Sequence, residues 1–184
     1  MTDKENSDKE KSGPRLSVDE VTSFDNVDIL ELCEATRQAI LTHEGFNWIS
    51  PPPEKTLESF WKGVITIPER TLIIARMDGQ IAGCCQMVRP PKNNEAGAFR
   101  GNLETFFLAP WARGHNLAKT MLQKAEEVAR AQGCRTMESH MAADQHAAIA
   151  ICEWIGMTRW GIKERYAMIN DVFVPGYYYS KDLD

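Results

Sequence analysis

Arg113, Gly114 and Lys119 lie within seven residues of one another, just beyond Pro110. Arg113 supplies a fixed cation, and Lys119 can add a second. Gly114 lacks a Cβ and reaches backbone angles closed to other residues, so successive N–H groups can converge on one oxygen. Leu103 to Ala109 reads as a strand and His115 onward as a helix. A helix begins with N–H groups that have no partner inside it and with a partial positive charge, which together attract anions. Ala118 is small enough for a bulky diphosphate to approach that helix. The stretch is therefore a candidate phosphate grip. As physics alone, the same pattern also serves an ordinary strand-to-helix connection.

Side chains that can move a proton surround this junction. Glu104 sits on the incoming strand and is the leading candidate for a base; the alternative is an exposed strand residue. Glu138 and His140 lie on the next strand. Histidine titrates in a useful range, although a lone histidine is more often structural. His115 falls in the phosphate turn, where its backbone matters more than its ring. His146 belongs at the edge of the same site or in solvent.

The elements that must position these groups follow from periodicity. Leu16, Val18 and Val21 suggest a short first strand within 15–24. Asp25 or Asn26 can cap a helix from Val27 to about Glu44, with Leu30, Cys33, Ile40 and Leu41 facing inward. Gly45 to Pro53 cannot be helical through its three prolines, and its aromatics suit either a wall or a connector. Thr56 to Thr66 places Leu57, Phe60, Trp61, Val64 and Ile65 at amphipathic helical spacing. Two β-rich runs, 71–77 and 80–88, flank Asp78-Gly79 and form the clearest hairpin signal. Gly83 inside the second run points to a bulge or a close backbone approach. A strand over 99–109 precedes the helix that starts at His115 and stops at Gly133. A strand over 134–141, a helix from a capping Asp144 to Ile155, and strands over 157–169 and 172–180 complete the order. Asn170-Asp171 can turn between the last two.

The totals narrow the class. The chain has 184 residues, enough for one domain with a short tail, here taken as a flexible segment 1–14 and a domain 15–184. A net charge of −5 weighs against a general nucleic-acid binder. No apolar run approaches the ~20 residues of a membrane span. Cys33, Cys84, Cys85, Cys134 and Cys152 are odd in number and show no C-x-x-C spacing. They read as buried free thiols in a reducing cytoplasm, not as disulfides or a metal site.

The run Leu-Ala-Pro-Trp-Ala-Arg-Gly-His-Asn-Leu-Ala118 resembles the coenzyme A signature of the GCN5-related N-acetyltransferases, Q/R-x-x-G-x-G/A at a strand–helix junction. Arg113 matches its first position and Ala118 its last. Asn116 stands where the family has its middle glycine, and asparagine tolerates left-handed angles well. The block Asp144 to Met157 resembles the helix that follows the family's fifth strand, and the tail Gly-Tyr-Tyr-Tyr-Ser-Lys-Asp-Leu183 resembles its last strand. The ending is also similar to small-molecule-modifying branches, including tabtoxin-resistance-like acetyltransferases. The resemblance covers roughly residues 15–184.

It implies an α/β fold: a mixed, mostly antiparallel sheet of about seven strands, helices on both faces, splayed between strands four and five. It implies acetyl transfer from acetyl-CoA to an amine by direct attack. Main-chain groups of Phe106 and Leu108, with Phe107 between them, would meet the pantetheine arm, and an N–H near Leu108 would face the thioester oxygen. N–H groups of Arg113, Gly114, His115, Asn116, Leu117, Ala118 and Lys119 would hold the pyrophosphate, with Asp144 beside them. The family often carries a Tyr acid in the fourth helix, and here that position is Cys152. A free thiol has a pKa of about 8.5, near that of the leaving thiol, and offers little driving force. Cys152 is otherwise a small buried hydrophobe, and Tyr166 is a substitute acid or a packed sheet aromatic. The acceptor expected is a small or amino-acid-like amine, with no nucleic acid and no membrane partner. A catalytically silent acyl-CoA-binding domain and a protein N-acetyltransferase are the alternatives. Strand edges in such folds often pair, so a homodimer stays open.

Overall fold

The computed structural model describes residues 13–43, 46 and 48–184. The expected tail over 1–14 lies outside them except for its last two residues. The element order is β1 (Leu16–Val21), α1 (Asn26–Leu41), α2 (Glu54–Val64), β2 (Arg70–Met77), β3 (Gln80–Val88), β4 (Arg100–Leu108), α3 (Leu117–Ala131), β5 (Thr136–Ala142), α4 (His146–Trp154), β6 (Thr158–Ile169) and β7 (Val172–Asp182), with single 3-10 turns at Glu95–Gly97 and Pro110–Ala112. Seven strands form one sheet in the order β1-β2-β3-β4-β5-β7-β6. Every pairing is antiparallel except β4 with β5. The fold class is the one the sequence leads to.

Turn chemistry sets this topology. Asp78 and Gly79 have φ of 53° and 89°, and Asn170 and Asp171 have 48° and 62°. Two consecutive left-handed residues give the tight turn whose twist matches antiparallel strands. Gly133 and Gly156 end α3 and α4 with φ of 79° and 90°, as C-terminal glycines do.

Each sheet face carries its own core. One face packs α3 and α4 through Leu117, Met121, Leu122, Ala125, Val128 and Cys152 onto strand residues such as Ile73, Cys85 and Met137. The other packs α1 and α2 onto Leu72, Ile74, Cys84 and Phe107. Adjacent strand residues Cys84 and Cys85 thus serve opposite cores, as pleating requires. All five cysteines are free and buried.

Two local expectations change. The α1 stripe is Ile29, Leu32, Cys33, Thr36 and Ile40, while Leu30 and Leu41 are half-exposed. A hydrogen bond makes the difference: buried Thr36 accepts from Trp61 Nε1 (3.0 Å) and donates to Leu32 O (2.7 Å). A polar residue thereby sits inside the stripe with both its hydrogen bonds made. Asp144 does not cap α4, which starts at His146 with no side-chain cap at Gln145. At the other helix, Asp25 caps α1, accepting from the N–H groups of Val27 and Asp28.

Candidate active site

The parallel seam is short. β4 and β5 pair only at Arg100 with Thr136, Gly101 with Met137 and Asn102 with Glu138. Ser139 Oγ then donates to Leu103 O at 3.2 Å, and beyond that point the two strands part. Between them opens a cavity of about 600 Å³. Phe106, Phe107 and Leu108 line one side, the Arg113–Lys119 turn its end, and Asp144 to Ile151 the other side.

β4 reaches the cavity with an irregular backbone. Phe107 pairs with Cys84 and Glu104 with Gln86, so Thr105 and Phe106 together oppose Cys85. Thr105 absorbs the extra residue with a φ of 53°. A β-branched residue held there is strained, at a cost of roughly 1–3 kcal/mol. The bulge swings the rest of β4 outward, the known effect of an extra residue in one strand. β3 makes room for this path at Gly83, where a Cβ would lie 2.2 Å from Phe107 O. The Ala109 N–H donates to Ala82 O at 2.7 Å. Backbone groups alternate between the two edges of a strand, so those of Leu108 and Phe106 face the cavity. The Leu108 carbonyl fits this, because it accepts from Arg113 Nη2 at 3.4 Å, away from β3.

The turn before α3 has the angles a phosphate grip needs. Gly114 has φ 85° and Asn116 has φ 60°, both left-handed. No side chain caps α3 at Asn116. The Lys119 and Thr120 N–H groups donate to Asn116 O at 3.0 and 3.2 Å, which leaves the amides of Leu117 and Ala118 as the open ones at the helix start. Arg113 also donates to Thr42 Oγ1 at 3.2 Å. The Lys119 ammonium lies 4.6 Å from the Trp154 ring centre, a cation–π contact that holds its side chain against α4. Every cofactor residue expected from the sequence lines this cavity, except His115. These are the features a nucleotide diphosphate with a long arm requires: an uncapped helix start, two left-handed residues, a cation and an open strand edge.

His146 lines the cavity, at the edge where the sequence allowed it. The sequence did not reveal its neighbours there, Gln145 and, from the end of α1, Thr42 and His43. Gln145 Nε2 donates to His43 O at 3.2 Å across a separation of 102 residues. A contact so distant in the chain leaves no periodic signal.

The proton-handling candidates divide. Cys152 is buried in the core beneath α4 and does not line the cavity. Burial, with Glu153 nearby, pushes its thiol up to about 12. That is far above a leaving thiol, and the acid role expected of it has no support in the geometry. Glu104 and His140 stand on equivalent steps of the fork, each two residues past the paired Asn102 and Glu138. Both are on the α1–α2 face of the sheet. Glu104 Oε2 accepts from Arg70 Nη1 at 2.9 Å. Arg70 Nη1 also donates to Gln86 Oε1 at 2.7 Å. His140 Nδ1 lies 2.8 Å from the Tyr166 hydroxyl. Burial, then neighbouring Tyr178, raises the Tyr166 phenol above its ordinary value. His140, Tyr166, Tyr178 and Trp160 form one aromatic group on β5, β6 and β7.

Between α1 and α2, Phe46 and Trp48 pack against the core of that face and do not line the cavity, as a packed connector would. Phe46 stacks on Trp48 at 5.5 Å and reaches Phe107 at 5.2 Å. Among the described residues no group of three or more His, Cys, Asp and Glu side chains is placed to hold a metal ion. No helix there is long and apolar enough to cross a membrane.

Comparison with known proteins agrees with this architecture. The profile of the Acetyltransferase (GNAT) family matches residues 35–157. An uncharacterized N-acetyltransferase from the hisH-hisA intergenic region of Azospirillum brasilense is 38% identical over 148 residues, 80% of this chain and 88% of that protein. A GNAT superfamily phosphinothricin acetyltransferase from Sinorhizobium meliloti, solved in complex with AcCoA, superposes with a TM-score of 0.73 at 17% identity, over 93% of this chain and 89% of that one. The ribosomal-protein-S18-alanine N-acetyltransferase of Escherichia coli gives 0.69 at 16% identity, over 92% and 95%. At such identities the two structures speak for the fold alone. The sequence relative and the family profile, together with the forked sheet and its anion-ready turn, establish that the chain belongs to the GNAT family of acetyltransferases.

Proposed function

We propose that this protein is an acetyl-CoA-dependent N-acetyltransferase whose acceptor is the amine of a small or amino-acid-like molecule. The observation that carries the reading is the cavity at the fork, where the open edge of β4 leads to the uncapped start of α3. Acetyl-CoA supplies the acetyl group. The protein's own groups supply grip and proton transfer. Amides of the Gly114–Ala118 turn hold the diphosphate, those of Arg113 and Lys119 being donated to Pro110 O and Asn116 O, and the Phe106–Leu108 edge aligns the arm. An N–H on that edge, at or near Leu108, offers the fixed donor that acyl transfer needs. Glu104, held by Arg70 at the mouth of the fork, takes the proton from the acceptor ammonium, directly or through water.

One feature favours a small acceptor. The aromatic group around His140 offers flat, partly polar surfaces of the kind that bind compact molecules. The Escherichia coli structure, named for a protein substrate, shows that the fold alone does not decide this. The buried free thiols suit residence in a reducing cytoplasm.

Calorimetry with acetyl-CoA tests the cofactor half. An Arg113→Ala/Gly114→Val double substitution should weaken binding by about tenfold or more, since valine cannot comfortably adopt a φ of 85°. Absence of binding to the wild type, or equal binding to both, would refute it. Thiol release across a panel of amines tests the other half. Tight binding without turnover on any amine would instead favour a silent acyl-CoA-binding domain.

A further inference from the structure

Gln86 has no assigned part in the chemistry, yet it is a fully buried polar side chain one strand away from the fork. Its two ends do different things. Its Oε1 accepts from Arg70 Nη1 at 2.7 Å, and its Nε2 donates to Thr105 Oγ1 at 3.0 Å. The cation fixes the amide's orientation, because only the oxygen can face a guanidinium. One buried amide therefore joins the left-handed Thr105 at the bulge to the arginine that holds Glu104.

From this geometry we propose that Gln86 is a positioning residue for acetyl transfer. It clamps the β4 bulge at Thr105 and, through Arg70, sets the Glu104 carboxylate beside it. The base and the cavity-facing amides of β4 are thereby held to one geometry. The inference rests on the acetyltransferase reading above. Gln86 touches neither substrate, so its effect must appear in alignment and not in binding.

The test is a double-mutant cycle on the acetyl-transfer rate. Gln86→Met keeps the bulk and removes both hydrogen bonds. It should lower kcat by about 10- to 100-fold, the scale of a misplacement of roughly 1 Å. The KM for acetyl-CoA should stay within about threefold, because the pyrophosphate turn is untouched. In a Thr105→Gly background the same change should cost less than about threefold, because glycine takes the left-handed angle without a clamp. Equal losses in both backgrounds, or a rise in acetyl-CoA KM that matches the fall in kcat, would overturn the proposal. If Gln86→Met does not fold, Thr105→Val severs the same tie from its other end and should lower kcat alike, with Thr105→Ser active. Amide hydrogen exchange separates this proposal from the acetyltransferase reading, because it needs no turnover. Exchange at Phe107 and Ala109, whose backbone faces β3 just past the bulge, should rise at least tenfold in Gln86→Met, and unchanged exchange would sink the clamp even in an active enzyme.

Discussion

Replacing Gly83 with alanine puts the fork under direct load. An added Cβ would lie 2.2 Å from Phe107 O and 2.9 Å from Leu108 Cα. Both are backbone atoms and cannot rotate aside. Restoring an ordinary contact of about 3.5 Å moves β4 from β3 by roughly 1.3 Å. The Ala109-to-Ala82 hydrogen bond, 2.7 Å long, breaks at that displacement. Overpacking costs about 1–3 kcal/mol, and each lost hydrogen bond adds about 1 kcal/mol. A total near 3–4 kcal/mol is less than the usual stability of a domain, about 5–15 kcal/mol. The variant should therefore fold and melt roughly 10 °C lower. Its acetyl-CoA affinity should fall by about tenfold or more, since β4, which forms one wall, would be driven into the cavity. Gly63→Ala is the control, because nothing lies within 4 Å of the added carbon. That helical site should gain about 0.5–1 kcal/mol, with binding unchanged. Differential scanning calorimetry and titration calorimetry read both variants. A Gly83→Ala protein that melts within about 2 °C of wild type would show that the strands do not need this close approach.

Three further outcomes follow from the titratable groups. Cys33 and Cys152 are pushed up to about 11 and about 12, by burial first and nearby glutamates second. With all five thiols buried, a disulfide reagent at pH 8 should label none of them within minutes in the native protein and all of them in denaturant. Cys152→Ala should keep kcat within about threefold, and a loss of more than about tenfold would return the thiol to the reaction. Burial pushes the Glu126 carboxyl up, but hydrogen bonds from Lys181 and Arg130 outweigh it and leave it below its ordinary value of 4.5. A lowered folded value means this stabilisation is full above about pH 4.5 and is lost as pH falls through the folded value. Glu126→Gln should destabilise by about 3 kcal/mol at pH 7, because Lys181 loses its buried partner. The gap from wild type should narrow in acid; chemical denaturation at pH 7 and pH 3 measures it, and a constant gap refutes the assignment.

Much of this was legible before any coordinates. Asp78-Gly79 placed the turn and the strand ends beside it to the residue, since that pair is built for consecutive left-handed angles, and β2 begins one residue earlier than expected, at Arg70. The Arg113–Lys119 stretch announced itself because its chemistry is local: cation, glycine and helix start share a few residues. Asn116 took the angle its side chain tolerates. The gaps share one physical cause. The bulge at Thr105 carries no signal, because threonine is an ordinary strand residue and its left-handed angle is imposed by Gln86 and the register with β3. Gln86 in turn reads as one polar residue in an apolar strand until Arg70 and Thr105 appear beside it. The α1 stripe was misaligned by Thr36, whose burial depends on Trp61, a residue on another helix. Of the two readings open for Cys152, burial supports the small core hydrophobe over the acid that a family position suggested.

The seam of three rungs between β4 and β5 has a bearing on how the molecule assembles. The strands on either side of it form by antiparallel pairing, much of it between neighbours in the chain. The seam must wait for the α3 crossover to bring β5 alongside, so it closes late. The seam does not cut the molecule in two, because the α3–α4 core runs across it and joins Leu103 and Leu108 of β4 to Met137 and Met141 of β5. Close packing on that face holds the two prongs of the fork at a fixed spread, even where no rung of the sheet connects them.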